Sequence, residues 1–151
     1  MELKALYVVR FHYPDGWDVD LVGEGGTEEY DFYFAEGRCE GSLSGTFRAA
    51  NHPRRRTDRT FRMDMQGFIK TDDGATVMVD YQGYGRRYPA GRRQVVGAAF
   101  HITDSERLGH LNDAVCAISG EVRVPDKIEL VQADVELVFQ VSELIWSAPP
   151  D

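Results

Sequence analysis

Apolar and polar residues alternate with a period of two along almost the whole chain, and no other feature restricts its fold as tightly. In a first run Leu3, Ala5, Tyr7, Val9 and Phe11 share one face, with Glu2, Lys4 and Arg10 on the other. A second sets Tyr30, Phe32 and Phe34 against Glu29 and Asp31, and a third, from Arg38 to Arg48, sets Cys39, Leu43 and Phe47 against Glu40, Ser42, Ser44 and Thr46. Phe61, Met63, Met65 and Ile69 then oppose Arg62, Asp64 and Gln66, and Val77, Val79 and Tyr81 oppose Asp80 and Gln82. A sixth run, Gln94 to Thr103, is apolar on both faces and is expected to be covered on both. A seventh spans Asp113 to Arg123, and an eighth sets Val131, Ala133, Val135, Leu137, Phe139 and Val141 against Gln132, Asp134, Glu136 and Gln140.

Turn signals separate these runs at Glu36-Gly37, Asp72-Asp73-Gly74 and Val124-Pro125-Asp126, of which Asp73-Gly74 is the strongest hairpin signal. Only Thr103 to Asn112 reads as a short helix or tight loop, with Thr103 or Asp104 as its N-cap. Eight antiparallel strands with short connections close most simply into an up-and-down barrel, which leaves no exposed edge. The expected fold is therefore all-β, an eight-stranded antiparallel up-and-down barrel formed by residues 1–151 as one domain.

Connections in such a barrel fall at alternate ends. Segments 12–27, 49–59, 85–92 and 124–127 share one end; turns 35–37, 72–74 and 104–112 share the other. The first end has the longer loops and is the expected ligand mouth. Arg54, Arg55, Arg56, Arg59, Arg86, Arg87 and Arg92 lie in or beside its loops, with Arg48 and Arg93 at adjoining strand ends. Arginine grips carboxylates bidentately, so this cluster suits an anionic ligand. The plainer expectation is that these arginines are solvated and pair with Asp15, Asp18, Asp20 and Glu24.

The composition excludes several classes. At 151 residues with 42% hydrophobic and 28% charged residues, the chain is globular. A net charge of −8 argues against nucleic acid and anionic membrane as partners. No apolar run is long enough to span a bilayer, and the start lacks the pattern of a secretion signal, which makes a cytoplasmic location the expectation. Cys39 and Cys116 are expected to be buried and reduced. No motif for a metal, nucleotide or catalytic triad occurs, so neither cofactor nor metal is expected.

Two carboxylates on adjacent strands raise one another's pKa, and a raised carboxyl is a general acid or base near neutral pH. On that logic Asp64, Glu40 and Asp80 are the candidate catalytic residues, if their face lines the lumen. Arg48 would hold an acid group, His110 and Asn112 would orient a carbonyl, and Tyr81 and His101 would line the ligand. The alternatives are that the carboxylates face water, that the aromatics are core, and that His101 is a hydrogen-bonded structural residue.

Several of these residues also carry a family pattern. Gly37-Arg38-Cys39-Glu40-Gly41, Asp64 followed by Lys70-Thr71-Asp72-Asp73-Gly74-Ala75, and Leu111-Asn112 before a strand together resemble domain-of-unknown-function family 3237. Cys39, Gln66 and His110 depart from its pattern. The resemblance implies a closed barrel and a homodimer, with no assigned activity. The fold it implies is similar to the allene oxide cyclase type of barrel, whose members shape a reactive hydrophobic substrate without a cofactor.

Three readings follow. One is a barrel that binds a small apolar or aromatic acid as a cofactor-independent isomerase, cyclase or lyase. Another is a non-catalytic carrier or sensor using the same cavity. The third is an interaction module whose barrel is solidly packed.

Overall fold

A computed structural model describes residues 1–88, 92–123 and 135–151. Its strands are β1 (Glu2–Gly23), β2 (Gly26–Gly41), β3 (Gly45–Asn51), the two-residue β4 (Arg54–Arg55), β5 (Phe61–Thr71), β6 (Thr76–Tyr88), β7 (Arg92–Thr103), β8 (Cys116–Arg123) and β9 (Glu136–Ile145). Eight of them pair antiparallel in chain order, and β1 pairs with both β2 and β9, so the ring β1-β2-β3-β5-β6-β7-β8-β9 closes on itself. Strand β4 bridges β2 and β5. This is the expected eight-stranded up-and-down barrel.

The apolar face of each run points inward. Phe11, Phe47, Tyr81 and Phe139 meet near the axis, with Phe11–Phe47 ring centroids 5.4 Å apart, Phe11–Phe139 5.0 Å and Phe47–Tyr81 6.0 Å. Met65, Ile69, Val77 and Val141 fill the space around them, each 0% exposed. The lumen is thus packed with side chains, as small eight-stranded barrels allow. Leu43, Leu108 and Leu111 are also buried, the last two from the segment holding the single 3₁₀ turn Gly109–Leu111. Only that one turn is helical in the stretch where a short helix was expected, and Leu108, not Thr103 or Asp104, stands at its N-cap.

Four expectations need correction. The expected loop 12–27 is strand: β1 continues past a register shift between His12 and Asp15 and pairs with β2 as far as Gly23–Gly26. Glu36-Gly37 is not a turn but the middle of β2, and the reversal falls at 42–44, so the expected run Arg38 to Arg48 is divided between β2 and β3. Tyr30, Phe32 and Phe34 lie outside the barrel, while Asp31 and Ala35 are buried. The sixth run is covered on one face only: Val96, Phe100 and Ile102 are 58%, 45% and 67% exposed. The expected turn at Val124-Pro125-Asp126 and residues 131–134 of the eighth run lie outside the described residues.

Closing so small a ring bends its strands sharply, and glycines sit where the bend brings backbones together. Gly83 and Gly97 face each other across β6 and β7. A Cβ on Gly97 would run into the carbonyl oxygen of Gln82, and one on Gly37 into that of Arg10. The neighbouring atom is backbone in each case and has no rotamer to escape into. Gly97→Ala is therefore expected to destabilise the fold by about 2 kcal/mol or more. Gly109→Ala, where a Cβ meets open space, should stay within about 0.5 kcal/mol of wild type. Urea unfolding of the two variants checks both.

Candidate functional site

A cavity of about 60 Å³ lies at one end of the barrel, bounded by Tyr13, Tyr33, Asn51, Pro53, Phe61, Met63, Arg93, Val95, Leu137 and Phe139 among others. The local sequence explains its placement. The paired ribbon of β1 and β2 continues beyond the bulge, and its inward face presents Tyr33 and, two residues further on, Asp31. The Asp31 backbone N–H donates to the Pro53 carbonyl (3.0 Å), which ties the ribbon to the segment between β3 and β4. The far wall comes from β5 and β7, which supply Phe61, Met63, Arg93 and Val95.

Polar groups ring this apolar cup. Tyr13 and Tyr33 stack at 4.6 Å between centroids, 18° from parallel. Asn51 donates through Nδ2 to the Tyr13 hydroxyl (2.8 Å), while its Oδ1 accepts from the Asp64 backbone N–H (3.2 Å). Both phenols are pushed well above the ordinary range, chiefly by burial, and so remain proton donors. Arg93, only 7% exposed, lies against the Phe61 ring at 4.6 Å, and Arg55 lies against the same ring at 4.4 Å.

Among the described residues of this end, Asp31 is the carboxyl pushed toward neutrality. It is 8% exposed, and the Tyr33 phenol on the same face of β2 favours its charged form. Burial, then the nearby carboxylates of Glu29 and Asp18, push its pKa up to about 6, against the pull of Tyr33 and Arg55. A buried carboxyl poised near neutrality beside a phenol can accept or return a proton.

The residues expected from sequence are distributed differently. Asp64, Asp80 and Glu40 do not line the lumen; they lie on the outer wall, and the Glu40 side chain is 79% exposed. Asp64 and Asp80 are indeed brought together, but by amides: Gln66 Nε2 donates to both carboxylates (2.7 and 3.0 Å), as does Gln82 Nε2 (2.6 and 2.9 Å). Those bonds hold the Asp64 carboxyl below its usual value, so the expected rise does not occur there. Alternation had separated the faces correctly, and a solidly filled lumen leaves the polar face outside. Arg48 is also on the outer wall, and His110 is exposed. Asn112 brackets Thr103 (2.8 and 3.0 Å) and so closes the end of β7.

Tyr81 and His101 do meet, deep in the core. The Tyr7 hydroxyl is 2.6 Å from the Tyr81 hydroxyl and 2.7 Å from His101 Nε2. Burial pulls His101 down to about 4, so it is neutral at ordinary pH, and its Nδ1 has no hydrogen-bond partner among the described residues. Cys39 and Cys116 are buried free thiols, pushed by burial up to about 12 and about 11. Three of the mouth arginines form ion pairs, as expected in kind but not in partner. Arg54 meets Glu28 (3.0 Å), Arg55 meets Glu29 (2.9 Å) and Arg56 meets Asp58 (3.1 Å).

Sequence reasoning missed Asp31, Tyr33, Tyr13, Asn51 and Phe61. The signal was present: Trp17, Val19 and Leu21 alternate with Asp18 and Asp20 up to Glu24-Gly25-Gly26, a strand and turn hidden by Pro14-Asp15-Gly16. Had that strand been read, its partner would have faced Asp31 and Tyr33 inward.

Among the described residues no helix is long and apolar enough to cross a membrane, and no group of three or more metal-binding side chains converges. No curated protein matches the chain. Solved structures share its fold. A β-barrel-like protein from Acinetobacter baumannii has a TM-score of 0.75 at 16% identity, covering 94% of each chain. A protein of unknown function from Clostridium acetobutylicum has a TM-score of 0.77 at 10% identity, covering 96% of this chain and 100% of that one. An enzyme from Penicillium herquei has a TM-score of 0.61 at 19% identity, covering 93% of each. Residues 2–138 match the family described as "Protein of unknown function (DUF3237)", and with that match over most of its closed barrel the chain belongs to this family.

Proposed function

We propose that the mouth cavity binds the oxygen-bearing end of a small apolar or aromatic acid or ketone, and that Asp31 and Tyr33 move a proton there without a cofactor. The observation that carries this reading is a buried carboxyl with a pKa near 6, on the same strand face as a phenol that lines an apolar cup together with a buried arginine. The Asp31 carboxylate would take a proton from carbon next to a carbonyl, and Arg93 would stabilise the oxygen as it gains charge. Returning that proton to another carbon is an isomerisation; losing a β-substituent instead is a lyase reaction. About 60 Å³ holds a few waters or the polar end of a ligand, so the rest of the molecule would lie across Phe61 and the rim. One structural neighbour is an enzyme, so a barrel of this type is able to carry a reaction. The homodimer is proposed to form through the outer face of β7, β8 and β9. Val96, Ala98, Phe100, Ile102, Ala117, Ser119, Gln140 and Ser142 form an uncharged patch there, bordered at one end by Glu121, Arg123 and Glu136, which suits self-association of a chain whose net charge of −8 repels a copy elsewhere.

Benzoate is expected to shift the amide signals of Tyr33, Phe61 and Val95, and Arg93→Met to weaken it at least about tenfold. Exchange of the α-protons of phenylacetone into heavy water should be accelerated with an inflection near pH 6, and Asp31→Asn and Tyr33→Phe should each lower that rate by about tenfold or more. Exchange unchanged in Asp31→Asn removes the catalytic reading; benzoate binding without exchange leaves the carrier reading.

Stability carries the same signature. Because the native carboxyl holds its proton up to about pH 6 and the unfolded one only to about 3.9, stability falls as pH rises between those values and this contribution is constant above them. Asp31→Asn is thus expected to match wild type near pH 4 and to exceed it at pH 7 by on the order of 2 kcal/mol. Denaturation at the two pH values checks it.

Phe100→Glu is expected to dissociate the dimer without unfolding the barrel, as read by sedimentation equilibrium. A wild-type chain that stays monomeric rules the dimer out.

A further inference from the structure

A hollow larger than the mouth cavity lies on the outer wall, where a groove of about 470 Å³ runs beside the bulge of β1. Its floor is made of small residues, Ala49, Ala50 and Gly67, on β3 and β5. Two rings, Phe34 and Phe68, rise on either side, and Pro14 and Asp15 close one end. Ala50 lies between Phe34 on β2 and Gln66 on β5 in one cross-strand row, so its short side chain leaves the gap.

The charges in the groove have an unusual arrangement. Glu36 and Arg48 stand directly opposite each other on β2 and β3, a position from which opposite charges ordinarily pair. They do not pair here. The Glu36 carboxylate faces His12 Nε2 at 3.5 Å, and Arg48 has no hydrogen-bond or ion-pair partner among the described residues. Asp15 Oδ1 accepts from the Gly16 N–H (2.9 Å), and Gln66 spends its amide N–H groups on Asp64 and Asp80, which leaves its carbonyl oxygen as an acceptor.

We propose that this groove is a second ligand site, independent of the mouth cavity, for an aromatic molecule that carries a carboxylate and an ammonium group side by side, in the manner of an aromatic amino acid. The ring lies over Ala50 between Phe34 and Phe68. The carboxylate meets the Arg48 guanidinium, and the ammonium meets Glu36 and the Gln66 carbonyl. A simple anion would be repelled by Glu36 and Asp15, and a simple cation by Arg48. Only a ligand with both signs at neighbouring atoms satisfies a wall whose own two signs are one strand spacing apart.

The probe is L-phenylalanine, followed through the amide signals of Ala50 and Gly67, beside its methyl ester and its N-acetyl derivative. Phenylalanine is expected to bind saturably, and each derivative at least about fivefold more weakly. Arg48→Gln should abolish the preference over the ester, Glu36→Gln the preference over the N-acetyl compound, and Ala50→Leu all binding, while benzoate still shifts the mouth signals in each variant. Charge variants on an exposed wall leave the fold intact, so they decide the matter even if Ala50→Leu unfolds. The proposal is overturned if phenylalanine gives no saturable shift up to its solubility, if it shifts the mouth signals of Tyr33 and Phe61 instead, or if the two charge variants leave the preferences unchanged.

Discussion

The ladder between β1 and β9, from Glu2–Ile145 to Phe11–Leu137, joins the two ends of the chain, and most of what distinguishes this molecule depends on it. Closure removes both sheet edges, so every long strand is paired on two sides. It also sets a narrow circumference, which calls for sharp bends at Gly37, Gly83 and Gly97 and leaves an axis wide enough only for side chains. Phe11, Phe47, Tyr81 and Phe139 occupy that axis. Among the described residues the axis is filled in this way, and the two hollows described above lie at the rim and on the outer wall.

The polar group that the core does retain shows how little room is left for chemistry there. Tyr7, Tyr81 and neutral His101 bring three donor protons to two contacts, so in every tautomer one proton lacks an acceptor within the trio. Burial of an unmatched donor costs about 1–3 kcal/mol, and His101 Nδ1 is without a partner among the described residues. Aromatic rings separate this trio from the mouth: Phe139 lies in the cavity wall and against Tyr81, with centroids 6.3 Å apart. The trio therefore sets register and identity in the core, whereas proton chemistry is better served by the Asp31 carboxyl at the rim, which titrates near neutrality.

Alternation revealed the fold and about half of the site logic, for a definite reason. In β5 and β6 no bulge interrupts the ladder, and Met63, Met65, Ile69, Val77, Val79 and Tyr81 point inward as their spacing predicts. Where the backbone slips by a residue, the parity changes and the inference fails. The irregularity between Ala5 and Tyr7 exposes Leu3 and buries Leu6 next to Tyr7, and the one between His12 and Asp15 turns Trp17, Val19 and Leu21 outward; β2 itself runs without a break, with Asp31, Ala35 and Cys39 buried on one face and Tyr30, Phe32 and Phe34 on the other. Those rings then cluster with Trp17, Phe32 and Phe34 standing 5.2 Å apart, and their strand neighbours Asp31 and Tyr33 turn inward. A bulge leaves no mark in apolar periodicity. On β2 the obstacle was different: three rings, Tyr30, Phe32 and Phe34, mark as core the face that lies outside, and Asp31 and Tyr33 are on the other.

The position of Asp31 within the barrel also accounts for its titration. A carboxyl on the open outer wall keeps its water or finds amide donors, as Asp64 does with Gln66 and Gln82, and its pKa falls. A carboxyl at the aromatic axis would lose all hydration with no partner near, a cost so large that the sequence places only phenols, an imidazole and thiols there. Between the two lies the rim, where the ribbon covers Asp31 enough to remove most of its water yet leaves Tyr33 as a donor and Glu29 and Asp18 as like charges. That intermediate burial is what brings a carboxyl to about 6. A β-strand ribbon extending past the last full ring of the barrel supplies it, because it carries one face inward while, among the described residues, no further long strand closes over it.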